Sequence, residues 1–116
     1  GEEMFERSVE FYRDVLRMSE VRSWKNGTMK GVMLDFGSGI VEITSNGTDS
    51  PGQGAIRHMA FATDDVDACV EAVRNAGYKI TMEPGDMVIP SEVPMNIRIA
   101  FCIGPAGEEL EFFQEK

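Results

Sequence analysis

One order of segments runs twice along this chain, and that repetition limits its possible folds more than any other feature. In residues 4–17, Phe5, Val9, Tyr12 and Leu16 recur at helical spacing and predict a helix with one buried face. Three short strand-like segments follow at 19–24, 31–36 and 40–44, separated by the hairpin signals Asn26-Gly27 and Gly37-Ser38-Gly39. The polar stretch 47–53 reads as a linker. Beyond it a strand is expected at 56–63, then a helix capped by Asp64 or Asp65 that carries Val66, Val70 and Val73 on one face. Gly77 closes that helix, and strands are expected at 78–82, 97–103 and 109–114, with a proline-rich loop over 84–94. The order is therefore α-β-β-β and then β-α-β-β-β.

Two alignments of the halves support the repeat. Leu16-Arg17-Met18 corresponds to Ala76-Gly77-Tyr78 at an offset of 60, and Val41-Glu42-Ile43 to Leu110-Glu111-Phe112 at an offset of 69. The nine additional residues fit the proline loop of the second half. The expected division is a first module over 1–46, lacking its first strand, the linker, and a complete second module over 54–116. Together they make up one domain, since 116 residues suffice for a single core and not for two independent domains.

The net charge of −9 argues against nucleic acid as a partner, because phosphate binding relies on clustered Lys and Arg. No apolar run is long enough to suggest a membrane span. Cys69 and Cys102 stand alone without a CxxC pattern, as expected of small apolar residues in a reducing, cytoplasmic compartment.

Strand alternation selects the residues that can carry chemistry. Leu110 and Phe112 take one face of the last strand and leave Glu111 on the other, while Val41 and Ile43 leave Glu42 in the same way. His58 shares its face with the small Ala60 and Ala62, opposite the bulky Met59 and Phe61. Arg98 shares a face with Ala100 and Cys102, while Ile97, Ile99, Phe101 and Ile103 point the other way. If helices cover the bulky faces, then His58, Glu42, Glu111 and Arg98 are expected together on a second, concave face. A lone strand Glu is ordinarily just solvated. Here Glu42 and Glu111 hold equivalent positions in the two halves, as a metal between half-sheets requires. One imidazole and two carboxylates suit Zn, Ni, Co, Mn or Fe.

The pieces Ser8-Val-Glu-Phe-Tyr-Arg-Asp-Val-Leu16, Ile40-Val-Glu-Ile-Thr44, Ile56-Arg-His-Met-Ala-Phe61 and Gly107-Glu-Glu-Leu-Glu-Phe112 together resemble the vicinal oxygen chelate superfamily, and within it glyoxalase I most. The resemblance implies an α+β fold of paired βαβββ modules whose curved mixed sheets enclose a metal cup. It implies Glu42, His58 and Glu111 as metal ligands, with a fourth expected just upstream of Gly1. The function it implies is that of a metal-dependent lyase or isomerase like lactoylglutathione lyase. Its substrate would be a small, α-oxygenated, hemithioacetal-like molecule converted through an enediolate-like intermediate. Glu111 or Glu42 would move the proton. In glutathione-using glyoxalases a basic residue in the first helix holds the thiol's carboxylate. Asp14 just before Val15-Leu16, with Arg13 one place earlier, departs from that pattern.

Two other functions fit the same superfamily: a non-enzymatic small-molecule or antibiotic-binding protein, and a thiol transferase or dioxygenase. Small members of the family usually pair as homodimers, which is expected here as well. Finally, the proline loop is expected to fold over the mouth of the cup. Arg98 would lie beneath it, binding an anionic substrate group or pairing with Glu42 or Glu111.

Overall fold

The computed structural model describes residues 1–47 and 57–116, which fall into two compact units, Gly1–Gly52 and Gln53–Lys116. Apart from Gly47, the linker expected at 47–53 lies outside the described residues, as does Ile56 at the start of the strand expected at 56–63.

The first unit opens with helix α1 (Glu2–Glu10), which continues into a π-helical turn over Phe11–Val15. Phe5, Val9 and Tyr12 are buried as their spacing predicts, whereas Leu16 is half-buried. The wider turn accounts for the difference. Leu16 N–H reaches back to the Phe11 carbonyl at 3.0 Å, five residues instead of four, and this rotates Leu16 off the buried stripe. Phe11, which the regular spacing did not select, is fully buried.

Strands β1 (Ser19–Asn26), β2 (Met29–Asp35) and β3 (Ile40–Thr44) form an antiparallel meander in that order. Val32 and Leu34 are buried, and Lys30 on their face forms ion pairs with Glu2 and Glu6 of α1. Val41 pairs with Leu34 and Ile43 with Val32, so these four share the helix-side face. Glu42 sits opposite Met33 on the other face, exposed.

In the second unit, β4 (Met59–Ala62), helix α2 (Val66–Asn75), β5 (Ile80–Ile89), β6 (Met95–Ile103) and β7 (Glu109–Glu115) follow one another along the chain. Their sheet has the spatial order β4-β7-β6-β5, with β4 parallel to β7 and the other pairs antiparallel. Asp65 caps α2 by accepting the Ala68 N–H at 3.0 Å. Gly77, at φ 89°, ends it while Tyr78 N–H reaches the Val73 carbonyl at 3.2 Å. Val66, Val70 and Val73 are at most 1% exposed, each contributing about 1.5–3 kcal/mol by burial.

The register of this sheet corrects one expectation about faces. Arg98 lies opposite Gln114, Ala100 opposite Phe112 and Cys102 opposite Leu110, so Arg98, Ala100 and Cys102 share the face of Leu110 and Phe112. That is the face toward α2: Gln114 accepts the Val66 N–H, and Arg98 is bonded to Asp67 of the helix. The bulky Ile97, Ile99, Phe101 and Ile103 lie on the opposite face instead, together with Glu111. The physical reason is clearance. A helix approaches a sheet closely over small residues, and Ala100 and Cys102 are both wholly buried.

A second correction concerns the proline loop. Residues 84–89 belong to β5, where Gly85 pairs with Ile99, Asp86 with Arg98, Met87 with Ile97, Val88 with Asn96 and Ile89 with Met95. Only 90–94 connects the strands. Pro84 falls within the register shift between Met82 and Gly85, where a missing backbone donor breaks no ladder bond. Met87, Val88 and Ile89 are apolar because they are strand residues. Among the described residues, no helix is long and apolar enough to cross a membrane.

Candidate functional site

The sheet of the second unit gathers its chemistry on the face away from α2. In the parallel register Ala60 lies beside Glu111, and Phe101 lies beside Glu111 from the other side. His58, two residues before Ala60, therefore faces the same way. Its Nε2 is 3.0 Å from Glu111 Oε1, and its Nδ1 is 3.7 Å from Glu109 Oε1. The ring meets Phe101 edge-on, with centroids 5.1 Å apart and planes at 80°, which limits its rotation. Glu111 is the more sheltered partner, its side chain 13% exposed against 34% for His58.

This pair has the chemistry of half a metal site. A ring nitrogen and a carboxylate oxygen are both ligands that borderline divalent cations accept. They converge beside Ala60, whose methyl leaves space above the strand. Among the described residues, no group of three or more His, Cys, Asp or Glu side chains is placed to hold a metal. The second unit thus supplies two donors that fit a divalent cation in kind. Glu42, in the first unit, stands exposed on a strand face beside Met33.

Arg98 is placed elsewhere. Its Nε and Nη2 donate to the two oxygens of Asp67 at 2.7 and 2.9 Å, and its Nη1 donates to Asp86 at 3.1 Å. These bonds hold both aspartates below the usual carboxylate range, and they hold the guanidinium charged. Lys116 adds a further contact to Asp86 at 3.5 Å. The expected partners Glu42 and Glu111 are replaced by Asp67 and Asp86, because the side chain emerges on the helix side of β6. Alternation alone could not tell which face the helix covers.

One residue escaped the sequence reading. Glu109 alternates with Glu111 and so joins its face beside His58, a relation readable from the spacing 109, 111. The correspondence between the two halves selects Glu111 and not Glu109.

Residues 3–112 match the model of the family described as Glyoxalase/Bleomycin resistance protein/Dioxygenase superfamily. A protein of Haemophilus influenzae named lactoylglutathione lyase is 35% identical over 96% of this chain and 84% of its own length. Among solved structures, glyoxalase I from Zea mays superposes with a TM-score of 0.73 at 29% identity, over 94% of this chain and 40% of that one. This chain thus spans about two fifths of the maize protein. The trypanothione-dependent glyoxalase I of Leishmania major gives a TM-score of 0.68 at 25% identity, over 94% of this chain and 77% of that one. With the family model matched over nearly the whole chain and the βαβββ order present in the second unit, this chain belongs to the glyoxalase/bleomycin resistance protein/dioxygenase superfamily.

Proposed function

We propose that the chain is a metal-dependent lyase of the glyoxalase I type. It acts on a small α-oxygenated, hemithioacetal-like substrate through an enediolate-like intermediate. The observation that carries the metal reading is the approach of His58 Nε2 to Glu111 Oε1 at 3.0 Å on the strand face that also carries Phe101. The name of the Haemophilus relative supports the reaction class.

In this reading His58 and Glu111 are metal ligands, and Glu42, the counterpart of Glu111 in the first unit, is a ligand in the same capacity. A divalent cation such as Zn, Ni, Co, Mn or Fe supplies, when bound, Lewis-acid stabilisation of negative charge on the two adjacent substrate oxygens. The protein's own part is the proton. Either Glu111 or Glu42 takes it from the carbon next to the carbonyl and returns it to the neighbouring carbon, a transfer suited to a positioned carboxylate. The sheltered position of Glu111 limits competition from water for that proton. The proposed working form is a cytoplasmic homodimer.

The test is elemental analysis of purified His58→Ala and Glu111→Ala proteins. Both are expected to lose most of the metal that the parent retains. Full metal content in both variants overturns the reading.

A further inference from the structure

We propose that Glu109 is a positioning residue for His58, fixing which ring nitrogen is presented as a ligand. The inference rests on the metal reading above and extends it to a side chain that the correspondence between the two halves does not pick out. Three observations carry it. His58 stands between two carboxylates, Nε2 toward Glu111 at 3.0 Å and Nδ1 toward Glu109 at 3.7 Å. The two glutamates alternate along β7 and so project from the same face, one on each side of the ring. The neighbouring carboxylate, Glu108, is turned away: its Oε1 accepts the Ala106 N–H at 2.8 Å within the turn that precedes β7.

A neutral imidazole carries one N–H and one lone pair, and a ligand nitrogen must offer the lone pair. An acceptor beside Nδ1 favours the tautomer with its proton there, which leaves Nε2 free to coordinate. It also holds the ring plane and raises the basicity of the coordinating nitrogen. At 3.7 Å the Nδ1–Glu109 contact is longer than a hydrogen bond, and a closure of somewhat under 1 Å completes it. The Glu109 side chain is 34% exposed and stands at the first residue of its strand, where such a movement meets little resistance. Phe101 restrains the ring from a third side.

The experiment measures Zn²⁺ affinity by chelator competition on the full chain, together with thermal unfolding of the metal-free proteins. Glu109→Ala is expected to bind Zn²⁺ about 10- to 100-fold more weakly than the parent, the range for removing a carboxylate behind a ligating histidine. Its metal-free melting temperature should match the parent's. Glu109→Gln keeps an acceptor oxygen and is expected to bind much closer to the parent. Should Glu109→Ala fail to fold, Glu109→Met keeps the side-chain length without an acceptor and serves in its place. Parental affinity in Glu109→Ala, with His58→Ala still losing metal, overturns the positioning role and leaves the metal site standing. A Glu109→Gln loss as large as that of alanine also overturns it. Parental affinity in His58→Ala overturns the metal reading itself.

Discussion

Arg17 and Gly77 hold the same left-handed backbone position, at φ 60° and φ 89°, just past the ends of the two helices. They lie sixty residues apart at corresponding points of the repeat. In both places the chain leaves the helix by reversing its handedness: Met18 N–H reaches the Tyr12 carbonyl at 3.0 Å, and Tyr78 N–H the Val73 carbonyl at 3.2 Å. Glycine adopts this conformation freely, whereas a Cβ carries a steric penalty there. Arg17→Gly is therefore expected to stabilise the protein by up to about 1 kcal/mol, and Gly77→Ala to destabilise it by about 1 kcal/mol or more. Urea titration of the two variants checks the pair, since the two shifts should have opposite signs.

Trp24 pairs with Gly31 across β1 and β2, and its indole ring covers the place a Cβ would occupy on Gly31. The aromatic ring takes over the surface that a glycine leaves bare in a strand. Gly31→Ala is expected to push the ring aside and cost about 1–3 kcal/mol, the usual range for overpacking. Because the chain has a single tryptophan, its fluorescence reports the displacement directly. Unchanged emission and unchanged stability would show that the ring does not pack on the glycine.

The bonds from Arg98 lower the titration of Asp67 and Asp86 relative to their ordinary value of 3.8. A carboxylate with a depressed folded-state pKa contributes stability above its ordinary pKa and loses it as the pH falls through the folded value. Arg98→Gln should thus be less stable than the parent at neutral pH. The gap should narrow as acidification passes below 3.8 toward the lowered values. Unfolding midpoints measured across that range check the sign. A gap that widens in acid refutes the network.

Cys102 lies under α2 with no exposed surface, and burial pushes its thiol up to about 12. At pH 8 only roughly one such thiol in ten thousand is ionised, and the thiolate is the reactive form. Native protein is expected to give at most one reactive thiol with a disulfide reagent, from the half-buried Cys69, and both on unfolding. Rapid modification of two thiols in the folded protein would contradict the burial of Cys102.

The sequence by itself determined the order of elements, both hairpin turns and both ends of α2, because each depends on neighbours a few residues away. Asp65 as a cap, Gly77 as a stop and the alternation of β3 and β7 are decisions of that kind. It also singled out His58 and Glu111, which the tertiary structure brings to 3.0 Å through the parallel pairing of β4 with β7. What the sequence could not decide was which side of β6 the helix covers. Alternation fixes that Arg98 and Phe101 point apart, yet both faces of that strand carry apolar residues, and a two-residue period has no sign. The helix settled on the side of Ala100 and Cys102, where small residues allow close approach. That choice sends Arg98 to Asp67 and Asp86 and leaves Phe101 beside His58. The reach of β5 through Pro84 was likewise decided by pairing. Met87, Val88 and Ile89 gain strand partners only once β6 lies beside them, and no local signal in the chain records that contact.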